Sequence, residues 1–241
     1  MLKGGKIRNL YLILAQGGDR MIKLNSFLNM DCMEGMKEFP DKYFELAIVD
    51  PPYGINMDGG KIGGDNLGTA QNYIQKNWDA SAPQQQYFEE LRRVSKNQII
   101  WGANHFISKV PFDSSCWIVW DKDNTGNFAD CELAWTSFKT AVRIFRYRWN
   151  GMLQENMKNK EFRIHPTQKP VALYEWLLTK YATKGDKILD THVGSASSLI
   201  ACHNLGFDYV GFELDTDYYN MANDRLERVK SQTTIFDFIG R

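Results

Sequence analysis

The tetrapeptide Asp50-Pro51-Pro52-Tyr53 brings together a carboxylate, carbonyls of fixed geometry and an aromatic face. It follows the apolar run Leu46-Ala47-Ile48-Val49, which reads as a strand buried on both faces, because two prolines forbid a helix from continuing there. A rigid turn at the C-terminal end of a parallel strand is where open α/β sheets bind ligands. Acceptors beside a ring suit a planar amine on an aromatic heterocycle: the acceptors take the amino hydrogens and the ring stacks. A Pro-Pro turn that simply buries a tyrosine would look the same, so the tetrapeptide alone leaves both readings open.

A second constellation lies downstream. Asp190 ends the strand-like run Lys187-Ile188-Leu189, and Thr191-His192-Val193-Gly194-Ser195 leads into a helix expected over 197–205. Glycine and small side chains bring bare backbone and a helix N-terminus close to a ligand. Glu213 closes the next strand, Tyr209-Val210-Gly211-Phe212, 23 residues beyond Asp190. A carboxylate in that place can take a ribose diol, as in dinucleotide sites. An ordinary strand–helix turn is the bland reading, with His192 a packed side chain. Asp31, in Asn29-Met30-Asp31-Cys32, reads equally as a solvated turn residue or a ligand contact.

Alternating short strands and helices must position these groups. Further strands are expected at Ile99-Ile100-Trp101 and Trp117-Ile118-Val119-Trp120. Helices are expected after Pro83, after Pro170 and near the C-terminus, where Tyr219, Ala222, Leu226 and Val229 share one face. Glu132–Phe138 and Ala141–Trp149 read as a hairpin. This alternation implies an α/β fold, a mostly parallel sheet with helices on both faces. Residues 21–241 form one expected domain, with 1–20 as an N-terminal extension; Met21 makes a second credible start. Residues 56–81 carry five glycines and no clear period, and read as a mobile loop. Residues 121–165, ahead of the proline-flanked segment 165–170, read as a small insert.

Composition narrows the functional classes. Lys plus Arg and Asp plus Glu are 29 each, so the chain does not hold a polyanion by bulk attraction. Any nucleic-acid contact must come from a local patch. Lys139, Arg143, Arg146, Arg148, Lys158, Lys160 and Arg163 against Glu155 and Glu161 make the window 139–163 a +5 segment, interleaved with Phe145, Tyr147 and Trp149. Such a segment suits phosphate contact and base stacking; a solvated hairpin face over core aromatics is the alternative. The 4 cysteines are scattered and show no metal-ligand spacing, so no metal and a reduced, cytoplasmic setting are expected. No apolar run approaches the ~20 residues of a membrane span.

Taken together, Asp50-Pro51-Pro52-Tyr53, His165-Pro166-Thr167-Gln168-Lys169-Pro170, the Asp190–Ser195 turn and Gly211-Phe212-Glu213 resemble the motifs of amino-directed DNA methyltransferases. The catalytic tetrapeptide precedes the cofactor motif, the order of that family's β group, and the likeness spans roughly residues 22–230. It implies a Rossmann-like S-adenosylmethionine-dependent methyltransferase fold in permuted order, and methylation at N6 of an adenine flipped out of double-stranded DNA. Asp50, Pro51, Pro52 and Tyr53 would then be catalytic. Asp31, Thr167, Lys169, Asp190, His192, Gly194, Ser195 and Glu213 would hold S-adenosylmethionine. N4-methylation of cytosine and an inactive binding relative are the alternatives, and a serine in place of Asp50 would favour cytosine. The chain departs from the family's Asp-Pro-Phe-x-Gly-Ser-Gly at Thr191, His192 and Ala196. A homodimer and a partner restriction nuclease are compatible with the resemblance and are decided by nothing in the sequence.

Overall fold

The computed structural model describes residues 22–62, 71–73, 76–110, 113–124, 129–150 and 153–239, so the expected extension 1–20 lies outside the described residues. Among the described residues, twelve strands and five α-helices follow one another. They begin with β1 (Ser26–Asn29), α1 (Cys32–Lys37), β2 (Phe44–Val49), β3 (Gly60–Ile62) and β4 (Gln71–Tyr73). Next come α2 (Gln85–Val94), β5 (Ser95–Trp101), β6 (Trp117–Asp121), β7 (Cys131–Thr136) and β8 (Arg143–Arg146). After the short strands β9 (Trp149–Asn150) and β10 (Leu153–Gln154) come α3 (Val171–Tyr181), β11 (Lys187–Asp190), α4 (Ser197–Leu205), β12 (Asp208–Glu213) and α5 (Thr216–Ile239). A single 3-10 turn, Ala103–His105, follows β5.

Eight strands form one sheet in the order β1-β12-β11-β2-β5-β7-β6-β8. The neighbours from β1 through β5 are all parallel; β7 runs antiparallel to β5 and β6. The apolar run at the end of β2 fills both faces, as expected for a central parallel strand. Leu46 and Ile48 join the core beneath α3, α4 and α5, while Ala47 and Val49 join the core beneath α1 and α2. One strand thus holds two helical layers in place, which makes its C-terminal end a fixed point.

Three local expectations differ from the structure. The segment 131–149 is not a hairpin: β8 pairs in parallel with β6 at the sheet edge, and β7 lies between β5 and β6. Burial explains this, because Ala134, Trp135 and Thr136 of β7 are enclosed whereas β8 is largely exposed. Within the span 121–165, β7 and β8 are therefore part of the main sheet. Residues 56–81 are not structureless either, since β3 and β4 pair antiparallel within them. Helix α1 was not anticipated; at 6 residues it is too short for a periodic pattern, and its cap, Asp31, carries the signal instead. Among the described residues no helix is long and apolar enough to cross a membrane.

Candidate active site

Because β1, β12, β11 and β2 are parallel neighbours, their C-terminal ends share one sheet edge. Asp31, Glu213, Asp190 and Asp50 stand at or just beyond those ends. Above the edge opens a cavity of about 1010 Å³, whose wall includes Asp31, Asp50, Lys169, His192, Gly194 and Glu213. Pro52, Thr167 and Ser195 also face it. The structure therefore gathers most of the cofactor and target candidates around a single space.

Asp50 leaves β2 half-buried, with both carboxylate oxygens engaged. The Tyr53 hydroxyl donates to Oδ1 at 2.6 Å and the Lys169 ammonium to Oδ2 at 2.5 Å. Burial raises the Asp50 carboxyl above the ordinary carboxylate range, and Lys169 opposes that rise. Tyr53 stacks on His105, with ring centroids 5.0 Å apart and planes 15° from parallel. Its ring also covers Gly102, where an added Cβ would lie 2.0 Å from it. Only glycine allows this seat.

Lys169 lines the cavity beside Asp50. It is enclosed between Asp50 and Glu132, with Glu132 Oε2 at 2.9 Å. Burial works against its charge, yet the two carboxylates leave its pKa raised. Glu132 in turn ion-pairs with Lys122, and despite burial these two cations hold its carboxyl at about 2. An alternating chain Asp50–Lys169–Glu132–Lys122 results. Sequence reasoning missed Glu132, which sits on a strand far from every motif.

At the far end of the cavity Glu213 accepts from the Gly194 and Asp215 N–H groups, each at 2.9 Å, which binds the glycine turn to the end of β12. Gly194 takes φ 56, the left-handed region that favours glycine. Asp31 accepts from Met33 N–H at 2.7 Å as the cap of α1 and still lines the cavity. Thr167 approaches His165 Nδ1 at 3.2 Å. Asp190 is 2% exposed and lies beneath the turn, behind the residues of the cavity wall. Its carboxylate accepts from Ser198 Oγ and from His192 N–H at 3.0 Å, and burial pushes its pKa up to about 7. It shapes the turn from below.

The basic segment is dispersed. Arg146 pairs with Asp121 at 2.8 Å and Arg148 with Asp123, both acids lying before the +5 window. Arg163 packs over the Trp149 ring at 4.6 Å. Lys139, Arg143, Lys158 and Lys160 remain exposed, and Arg143 makes no ion pair among the described residues. Strand β8 is also four positions from β2 in the sheet, roughly 19 Å at the usual strand spacing.

The family model for N6/N4 methyltransferases, described as DNA methylase, matches residues 107–224. Over that segment the chain matches the amino-directed DNA methylase family. The chain is 24% identical over 86% of its length to the type II methyltransferase M.HinfI of Haemophilus influenzae, covering 69% of that protein. It is 26% identical over 82% of its length to the type II methyltransferase M.HpaI of Haemophilus parainfluenzae, covering 72%. In fold it resembles M1.HpyAVI, crystallised as a complex with SAM, with a TM-score of 0.52 at 20% identity; the match covers 83% of this chain and 98% of that one.

Two histidines on the cavity wall give the chain's stability a pH dependence. Burial lowers His165 to about 3, with Lys169 adding to the effect, and burial lowers His192 to about 4. Both are neutral in the folded chain while the unfolded chain protonates them near 6.5, so acid favours unfolding. The stability they permit is complete above about pH 6.5 and falls as the pH drops towards 4, by on the order of a few kcal/mol. Thermal melts between pH 7.5 and 4.5 check this, and His192→Gln should flatten the slope. A slope unchanged in His192→Gln would show that this ring is not held neutral.

Proposed function

We propose that this chain transfers a methyl group from S-adenosylmethionine to the N6 amine of an adenine turned out of duplex DNA. The observation that carries the reading is the single cavity with Glu213 and Gly194 at one end and Asp50 and Pro52 at the other. A donor and an acceptor bound at those ends meet inside it.

The residues at the first end suit the cofactor. Asp31 and Glu213 offer carboxylate oxygens to hydroxyl and amino hydrogens, and Gly194 lets backbone approach closely. An acidic wall also favours a cationic ligand over an anionic one. S-adenosylmethionine, when bound, supplies an electrophilic methyl group and a thioether leaving group.

The chain's own part is to hold and polarise the acceptor. An exocyclic amine of adenine is a poor nucleophile because its lone pair is delocalised into the ring. Acceptance of the N6 hydrogens by the Asp50 carboxylate and the Pro51 carbonyl localises that pair and stabilises the positive charge that develops on attack. Each carboxylate oxygen retains a lone pair beyond those used by Tyr53 and Lys169. Tyr53, packed against His105 and Gly102 and partly exposed, is the ring beside Asp50 on which a base removed from the duplex would stack. Adenine is favoured over cytosine by the aspartate that heads the tetrapeptide.

Incubation with unmethylated DNA and methyl-labelled S-adenosylmethionine, followed by digestion to nucleosides, tests the proposal. Label in N6-methyl-2′-deoxyadenosine is expected. Label only in N4-methyl-2′-deoxycytidine overturns the choice of base, and cofactor binding without transfer overturns catalysis. Of the arginines in β8, Arg143→Ala is expected to reduce the salt slope of DNA binding by about one, while Arg146→Ala, already neutralised by Asp121, changes it less. Equal slopes for the two variants and the parent would remove β8 from the DNA surface.

A further inference from the structure

We infer that Asp79 is the positioning residue for the target-binding turn, and that residues 76–79 tie this turn to the cofactor end of the cavity. The inference deepens the methyl-transfer reading and rests on it.

Pro51 and Pro52 supply no N–H, so the turn after β2 has no donor of its own until Tyr53. That donor goes to Asp79. Asp79 Oδ1 accepts from the N–H groups of Tyr53 at 2.6 Å and Gly54 at 2.8 Å, and Oδ2 accepts from Met57 N–H at 2.8 Å. The Asp79 carbonyl accepts a fourth hydrogen bond from Asn56 N–H at 3.1 Å. The side chain is 2% exposed, so the charge is compensated almost wholly by these aligned backbone dipoles. Gly54 takes φ 76, and a Cβ there would lie 2.8 Å from Ala82 N, so the turn and the segment after Asp79 are in close contact. Asp79 touches no reacting atom. It determines where Tyr53 begins, and hence where the Asp50-to-Tyr53 hydrogen bond can form.

Three residues earlier the same segment is pinned to the other end of the cavity. The Lys76 ammonium reaches Asp215 at 2.7 Å and Asp217 at 2.6 Å, just beyond Glu213, and lies 4.9 Å above the Tyr218 ring. Trp78 rests against His165 at 5.1 Å. Lys76 and Trp78 both line the cavity. The strap thus bridges the groups that would hold the donor and the turn that would hold the acceptor.

Amide exchange and single-turnover methyl transfer on Asp79→Ala and Asp79→Asn test this. In Asp79→Ala, residues 53–57 should exchange about tenfold faster or more, with residues 44–49 of β2 unchanged. Transfer at saturating DNA should slow by about tenfold or more, while S-adenosylmethionine affinity stays within about threefold. Asp79→Asn keeps an acceptor for Tyr53 and Gly54 and should recover most of the rate. Parental protection and rate in Asp79→Ala would overturn the inference, as would loss of protection through β2 in both variants, which marks a general structural role. If the parent chain itself transfers no methyl group, the methyl-transfer reading fails on that result alone, and the exchange arm still decides whether Asp79 pins the turn.

Discussion

Asp50→Ala is expected to slow methyl transfer by about 10²–10³-fold or more while S-adenosylmethionine affinity changes by less than about tenfold. The magnitude follows from removing one charged acceptor from a site where charge develops on the substrate amine. Separation of the two effects follows from placement: Asp50 leaves β2, whereas the Glu213 and Gly194 end of the cavity belongs to β12 and the turn after β11. The variant should fold, because the Lys169 ammonium keeps Glu132 at 2.9 Å when Asp50 is gone. Single-turnover transfer and a thermal-shift titration with the cofactor measure the two quantities independently. Loss of cofactor binding in a folded variant would refute the division of labour, and an unchanged rate would refute the role of Asp50. Asp50→Asn is a sharper control on charge. It preserves shape, but if the amide nitrogen takes the Oδ2 position it meets Lys169 donor to donor.

What the sequence made legible was local. The run Leu46–Val49 followed by two prolines marked both the strand and its end, because burial on both faces and a blocked helix leave one reading. Gly206, expected to stop α4, does so at φ 72. The carboxylates at 31, 50 and 213 converge on the cavity because parallel strands must present their ends on one edge. Long-range pairing was illegible. No pattern in β8 distinguishes a hairpin partner of β7 from an edge partner of β6, since that choice depends on which strand buries Trp135. Asp79 carries no local signature either. An aspartate after a tryptophan in a glycine-rich stretch reads as solvent-facing until three backbone donors are seen around it. Lys169 was recognised from its motif, but its place between Asp50 and Glu132 was not, since a motif states adjacency along the chain and not which carboxylate lies opposite.

Lys169→Met should be the most destabilising single change at the site, by about 2–4 kcal/mol, because it leaves Asp50 and Glu132 as neighbouring, partly enclosed carboxylates without the cation between them, and only Glu132 keeps a second cation, Lys122. Breaking such a pair costs more than the pair contributes, so the second substitution is the informative one. In Lys169→Met/Glu132→Gln one of the two facing carboxylate charges is removed, and part of the lost stability should return. Denaturant melts on the single and double variants measure this coupling. The same change bears on chemistry. Burial already raises Asp50, and Glu132 adds to that rise while Lys169 opposes it; the Tyr53 hydroxyl, the other donor to Asp50, remains in the variants. Without Lys169 the carboxyl stays protonated to higher pH, and a protonated Asp50 is the weaker acceptor for the substrate amine. The rate–pH profile of the double variant should therefore shift to the alkaline side, with its maximal rate recovered in part. A variant as stable as the parent, or a profile that stays in place, would show that Lys169 fills space beside Asp50 without holding its charge.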